Sequence, residues 1–351
     1  MPASLFNRGV FFLLFALVLF ASVALLLLYS HWSQPLTSLE ESEIYVVQEG
    51  ATVRSVSQEF SDRGLVKNAL LMSVSARLFG SDAVFKIGEY RLPANASLAN
   101  IAAIFDRGVS LQHKVTLVEG VECVGLLKSL ISFFSASVLP ELLDDRGAAC
   151  GWLSAFLTAD AIRVMDGSQN PEGWFLPETY YFPSGVTIDE VLSRAHQAML
   201  ESLTEIWQER DEGLPYESMY DALIMASIVE RETGLASERR QIAGVFVRRM
   251  KKGMRLQTDP TVIYGLGSGF NGNLSRSDLK KDTPYNTYTR AGLPPSPISM
   301  PGEEALYAAM HPEPGDALYF VAKGDGSHHF SATFEEHKAA VTKYQIKQRR
   351  A

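Results

Sequence analysis

The segment GVFFLLFALVLFASVALLLLY, Gly9 to Tyr29, constrains this chain more than any other stretch. It is uncharged and almost wholly apolar over about 20 residues, enough at about 1.5 Å rise per residue to cross a hydrocarbon core. A transmembrane helix over residues 9–30 is the expectation. Ser22-Val23-Ala24 offers a cleavage site for a secretory leader, but the run continues through Leu25 to Leu28, where a cleaved leader should already be polar. Arg8 precedes the span, whereas Glu40, Glu41 and Glu43 follow it and no Lys or Arg occurs until Arg54. The positive-inside bias therefore puts residues 1–8 in the cytoplasm and everything from about Ser33 onward outside, which for a bacterial protein is the periplasm or cell-wall space.

With 351 residues, the chain is long enough for two or more folded units. A formal net charge of −8 gives no broad basic surface, which argues against a nucleic-acid partner. Cys123 and Cys150 would meet an oxidising compartment, but their positions alone fit a disulfide and two buried thiols equally well.

Residues 31–43 are polar with a proline and read as a linker. Ile44 to Val47 reads as a strand, Glu49-Gly50 as a turn, and Thr52 as the N-cap of a helix carrying Val53, Val56 and Phe60. The pattern returns about 45 positions later: strand Glu89 to Leu92, cap Ser97, then Leu98, Ile101 and Phe105. A weaker strand and turn at Val115 to Gly120 suggests a third unit, so residues 44–110 predict a small βα module and residues 111–351 a larger mixed domain. In NPEGWFLPETYYFPS, Asn170 to Ser184, prolines exclude regular helix and leave five aromatic rings to cover a core or line a cleft.

Tyr216 to Thr233 predicts a helix buried on nearly all sides, stopped by Gly234, with Ser237 capping the next. Leu318 to Ala322 and His328 to Phe330 predict a hairpin. His311, His328, His329 and His337 lack metal-ligand spacing, and neither a nucleophile elbow nor a phosphate loop is present, so no metal or cofactor is expected. What remains is a pair of carboxylates at a buried helix end, Glu230 and Glu232. At about 100° per residue they point about 200° apart and cannot form one close dyad. Both continue apolar stripes, so periodicity does not choose between them. Negative charge near a helix C-terminus opposes the macrodipole, and such placement favours a functional role.

The blocks MASIVERET, MRLQTDPTVIYG, LSRSDL, TPYNTYTRAGLPPSPI and MPG, with EGWFLPETYYF upstream and HFSATFEEH downstream, resemble the endolytic murein transglycosylase family, MltG or YceG-like. The resemblance implies an α+β fold: a single-pass inner-membrane anchor, a small LysM-like module and a catalytic domain with a lysozyme-like active-site helix. It implies cleavage of the β-1,4 bond between N-acetylmuramic acid and N-acetylglucosamine inside nascent peptidoglycan glycan strands, leaving 1,6-anhydromuramoyl ends. Peptidoglycan synthases are candidate partners. Lysozyme-like lytic transglycosylases place the catalytic glutamate before a hydroxyl residue, which Glu232-Thr233 matches and Glu230-Arg231 does not, leaving Glu230 in support. Thr258, Asp259, Tyr285, Asn286 and Tyr288 match motif positions and are candidate saccharide contacts; Ser296 departs from an expected glycine. A non-catalytic, glycan-binding cell-wall scaffold is the rival expectation.

Overall fold

A computed structural model describes residues 3–48, 50–80, 86–134, 145–165 and 167–347. Glu49 of the expected turn, residues 135–144 and the first two residues of the expected cytoplasmic tail lie outside the described residues. The fold is mixed α+β with one N-terminal apolar helix, and the chain divides into two compact units, residues 1–113 with 181–185 and residues 114–180 with 186–351.

The first unit opens with α1 (Ala3–Ser33), whose stretch Val10–Ser33 is long and apolar enough to cross a membrane. Next come β1 (Glu43–Val47), α2 (Val53–Asp62), α3 (Ala69–Phe79), β2 (Gly88–Leu92) and α4 (Leu98–Arg107). β1 and β2 pair antiparallel with Tyr45 opposite Tyr90, which sends Tyr45, Val47, Tyr90 and Leu92 inward by strand alternation. Phe60 of α2 meets Tyr45 edge-on at 4.9 Å and Phe105 of α4 meets Tyr90 at 5.1 Å, so the repeated apolar spacing of the two helices closes one core. Thr52 caps α2 in a reciprocal box with Ser55, and Ser97 caps α4 through the Asn100 amide.

Two features of this unit depart from the sequence reading. The linker does not float: Trp32, Leu36 and Leu39 enter the core, and Asn95 N–H donates to Leu39 O at 2.7 Å. Helix α3, capped by Asn68, intervenes between the repeats.

In the second unit β3 (His113–Thr116) leads to α5 (Cys123–Phe134), α6 (Arg146–Leu153) and α7 (Ala159–Val164). β3 pairs with β4 (Thr179–Phe182), and beyond the strands Leu117 N–H donates to Glu178 O at 3.0 Å. The third strand is therefore not a third repeat; its partner lies in the aromatic segment, which carries no helical or alternating signal. That segment buries Trp174, Phe175, Tyr180 and Phe182. Cys123 and Cys150 form a disulfide joining α5 to α6, with Cα atoms 5.5 Å apart.

The core is built on α8 (Ile188–Gln208), α9 (Met219–Glu232), α10 (Ala236–Lys251), α11 (Asp259–Leu266) and α12 (Glu303–Met310). Every residue of α9 from Ala222 to Val229 is buried, as an all-round apolar helix requires. It begins at Met219, capped by Ser218, rather than at Tyr216. It ends in extended backbone at Thr233, not in a left-handed Gly234, because Thr233 Oγ1 accepts from Leu235 N–H at 3.0 Å and turns the chain directly into α10. Ser237 consequently lies inside α10 and caps nothing. The hairpin of β5 (Tyr319–Ala322) and β6 (His328–Ser331), then α13 (Phe334–Val341), complete the unit.

Candidate active site

Glu232 is the last residue of α9, so the rigid buried helix fixes its backbone while its partly exposed side chain leaves the core. Thr258, the N-cap position of α11, donates its hydroxyl to Glu232 Oε1. Burial pushes the Glu232 carboxyl up to about 7; the Thr258 hydrogen bond opposes this rise and the charge of Asp259 adds to it. Glu232 opens on a cleft of about 420 Å³ whose walls include Arg249, Asp259, Tyr288, Tyr319 and His337. Tyr288 Oη donates to Asp259 Oδ1 at 2.6 Å and holds that carboxylate at the cleft edge.

The loop that delivers Thr258 is held from several sides. Gln257 adopts φ +54°, a left-handed conformation that costs a non-glycine residue on the order of 1 kcal/mol. Arg249 of α10 stabilises it by donating to Leu256 O at 2.6 Å and to Gln257 Oε1 at 3.0 Å. Thr258 N–H donates to Thr287 Oγ1 at 3.1 Å, and Thr261 Oγ1 donates to Thr258 O at 2.8 Å. Neither Gln257 nor Arg249 carries a sequence signal for this role, since left-handed backbone is legible mainly at glycine.

Of the candidate saccharide contacts, Asp259 and Tyr288 line the cleft, while Thr258 is buried and committed to Glu232. Asn286 is fully buried and donates its amide to the carbonyls of Leu279 and Lys281 at 3.1 and 2.7 Å. Tyr285 turns to Ser296, Oη to Oγ 2.8 Å, and packs on Tyr264 at 4.8 Å. Both therefore shape the TPYNTYTRAGLPPSPI loop instead of facing the cleft. At the unexpected Ser296, a glycine would remove the hydroxyl that Tyr285 uses.

Glu230 lies elsewhere, as the helical angle requires. Its Oε2 accepts from Gly302 N–H at 3.0 Å and its Oε1 faces Arg239 at 3.4 Å; Arg239 also meets Glu304 and, at 3.6 Å, Glu119. Ser227 of the same helix accepts from Ile298 N–H at 3.0 Å, so Ser227 and Glu230 together fasten residues 298–302 to α9. Gly173 closes against this loop with φ +85°, and a Cβ there would come 2.7 Å from Pro297.

A third acid escaped the sequence reading. Glu172, in the proline-rich aromatic segment, is fully buried and accepts from Cys123 N–H and from Tyr264 Oη, each at 3.1 Å. Burial, helped by the charge of Glu122, pushes it up to about 8 against the opposing Cys123 N–H, Tyr264 hydroxyl and Arg146 charge. A lone glutamate outside any periodic element gives no signal of burial. Glu172 and the two sulfurs fall within 4.8 Å of one another, but disulfide formation removes both thiolates as metal ligands. His328 pairs with Glu238 at 2.7 Å, and His337 stacks on Tyr319 at 5.2 Å.

A model of the YceG-like family matches residues 45–343. The chain belongs to the YceG-like family. This YceG-like chain is 30% identical over 303 residues to an endolytic murein transglycosylase of Bacillus subtilis, spanning 85% of this chain and 83% of that protein. An endolytic murein transglycosylase of Streptococcus pneumoniae serotype 2 is 25% identical over 320 residues; the match spans 57% of its length. A crystallised YceG-like protein from Listeria monocytogenes is similar at 28% identity and TM-score 0.52, over 85% of this chain and 98% of its own.

Proposed function

We propose that this chain is a membrane-anchored endolytic lytic transglycosylase of peptidoglycan, with Glu232 as its general acid and base. The observation that carries the reading is a carboxyl at a rigid helix end, raised to about 7 by burial, that opens on a cleft and receives one ordered hydroxyl. Such a group holds a proton near neutral pH and gives up or takes one with little penalty.

In the proposed reaction Glu232 protonates the bridging oxygen of the bond from N-acetylmuramic acid C1 to N-acetylglucosamine O4. The C1–O4 bond breaks as oxocarbenium character develops. The Glu232 carboxylate then takes the proton of the muramoyl C6 hydroxyl while O6 bonds to C1, which regenerates the acid and consumes no water. The nucleophile is part of the same sugar, so proximity replaces a second carboxylate. Thr258 stabilises the ionised form between the two proton transfers, while Asp259 and Tyr288 face the saccharide.

In the same reading residues 9–30 are a retained single-pass anchor with a cytoplasmic N-terminus, residues 44–110 a LysM-like glycan-binding module, and residues 111–351 the periplasmic catalytic domain. Support comes from the names of the relatives and the apolar helix. The test digests purified glycan strands with the full chain and with Glu232→Gln, then reads the termini by mass spectrometry. Anhydro ends from the wild type alone are expected. Reducing ends from the wild type would make it a hydrolase, and equal digestion by both proteins would remove Glu232 from the chemistry.

A further inference from the structure

Helix α3 inverts the usual burial pattern. At about 100° per residue, Leu70, Leu71, Val74, Arg77 and Leu78 fall in one arc of about 120°. That arc faces out, with Leu70 73%, Leu78 55%, Leu71 39% and Val74 37% exposed. The opposite arc buries Met72 and Ser75 and turns half-buried Phe79 inward. Four large aliphatic side chains in a row on the surface of a small unit leave an apolar stripe without a covering element among the described residues, a pattern that marks a binding face.

The position of α3 indicates what covers it. Phe79, its last residue, meets Tyr29 of α1 edge-on at 5.5 Å. Tyr29 ends the apolar run that begins at Gly9, and a helix of that length places Tyr29 about where hydrocarbon gives way to headgroups, the level at which tyrosine concentrates. Contact with Tyr29 therefore puts the C-terminal end of α3 at that level. Its flanking charges suit the same setting: α3 holds no acid, Lys67 precedes its cap and Arg77 lies in its last turn. Such cations reach acidic headgroups while their aliphatic stems stay with the apolar face.

The geometry points to α3 as an interfacial helix that lays Leu70, Leu71, Val74 and Leu78 on the outer leaflet beside the anchor, with Arg77 and Lys67 on acidic phospholipid headgroups. It rests on the reading of residues 9–30 as a retained span. Two contacts with the bilayer, one crossing and one lying on it, would restrict the swivel of the first unit about its anchor and hold that unit close to newly laid glycan.

The test labels the full chain with an environment-sensitive fluorophore at Val74→Cys, Leu19→Cys or Glu212→Cys, with the native cysteines disulfide-bonded, in vesicles of phosphatidylglycerol and phosphatidylethanolamine. Chain-brominated lipid should quench the labels at 19 and 74, while iodide should quench the label at 212 several-fold more strongly than either. Quenching by lipid at 19 but not at 74, with iodide reaching 74 as freely as 212, overturns the interfacial helix and leaves the anchor standing. Loss of lipid quenching at 19 overturns the anchor itself. Shielding of 74 from both quenchers means that protein covers the face, which also overturns the proposal.

Discussion

Helix α11 has an acid at each end, and the two acids have opposite fates. At its N-terminus Thr258 presents a hydroxyl to Glu232 beside an open cleft; toward its C-terminus Tyr264 presents one to Glu172 inside the protein. Burial raises both carboxyls, to about 7 and about 8. A raised pKa alone therefore does not separate the two. Access separates them: Glu232 opens on a cleft, whereas Glu172 is enclosed by Cys123, Tyr264 and neighbouring packing.

The hardest test of this contrast is Glu232→Gln, which keeps shape and loses the proton. The turnover rate should fall by roughly 10²–10⁴-fold, the usual contribution of general acid–base catalysis. Thermal stability should hold or rise, because a carboxyl destabilised by burial has been neutralised. For the wild type, kcat/KM should decline as pH rises through about 7, where the free enzyme loses the required proton. A drop in rate accompanied by unfolding would place Glu232 with Glu172 and erase the distinction.

Glu172→Gln should do the reverse, leaving kcat within a few-fold of wild type and changing the pH dependence of stability. Burial holds the folded carboxyl up at about 8 against the usual 4.5, so the folded state binds the extra proton between those values. Its favourable contribution is fully present below 4.5 and disappears as pH rises through about 8. Relative to Glu172→Gln, the wild type should lose about 5 kcal/mol over that range, measured by chemical denaturation with the disulfide intact. Parallel stability curves for the two proteins would show that Glu172 is ionised in the fold.

The two sites also differ in how far sequence reached them. Glu232 sits at the end of a long buried helix, where periodicity supplies an angle that rules out a close dyad with Glu230; the choice between the two came from the Glu232-Thr233 step of the family resemblance. Caps at Thr52 and Ser97, both repeated strands and the β5–β6 hairpin were legible for the same reason: each is a local pattern. Glu172 was not, because its environment comes from Cys123 and Tyr264, residues 49 and 92 positions away. The disulfide, left open by spacing, and the pairing of β3 with β4 are likewise products of tertiary closure. Asn286 and Tyr285 were legible as motif residues but not as loop struts, since motif membership does not reveal side-chain direction.

Thr258→Val probes the open end more gently. Loss of a hydroxyl that favours the ionised carboxylate should move the alkaline fall in kcat/KM to higher pH and reduce kcat by about 10-fold. Thr258→Ser should restore both, which a purely structural role would not require. An unmoved pH profile in the valine variant would mean that the hydroxyl does not sense the charge on Glu232.

The smallest effect is expected at Glu230, two residues from Glu232 and also raised by burial, despite the hydrogen bond from Gly302 and the charge of Arg239. Glu230→Gln keeps an acceptor for Gly302 N–H and removes one of three carboxylates around Arg239. Because Glu119 and Glu304 continue to compensate that guanidinium, the loss should be about 1 kcal/mol, well below the cost of stranding a buried charge. The pH profile and the anhydro product should match the wild type, since the residues it fastens, 298–302, are not on the wall of the Glu232 cleft. A shifted alkaline limb in Glu230→Gln would mean that the two glutamates communicate through the last turn of α9. The separation by helical angle would then be geometric but not electrostatic.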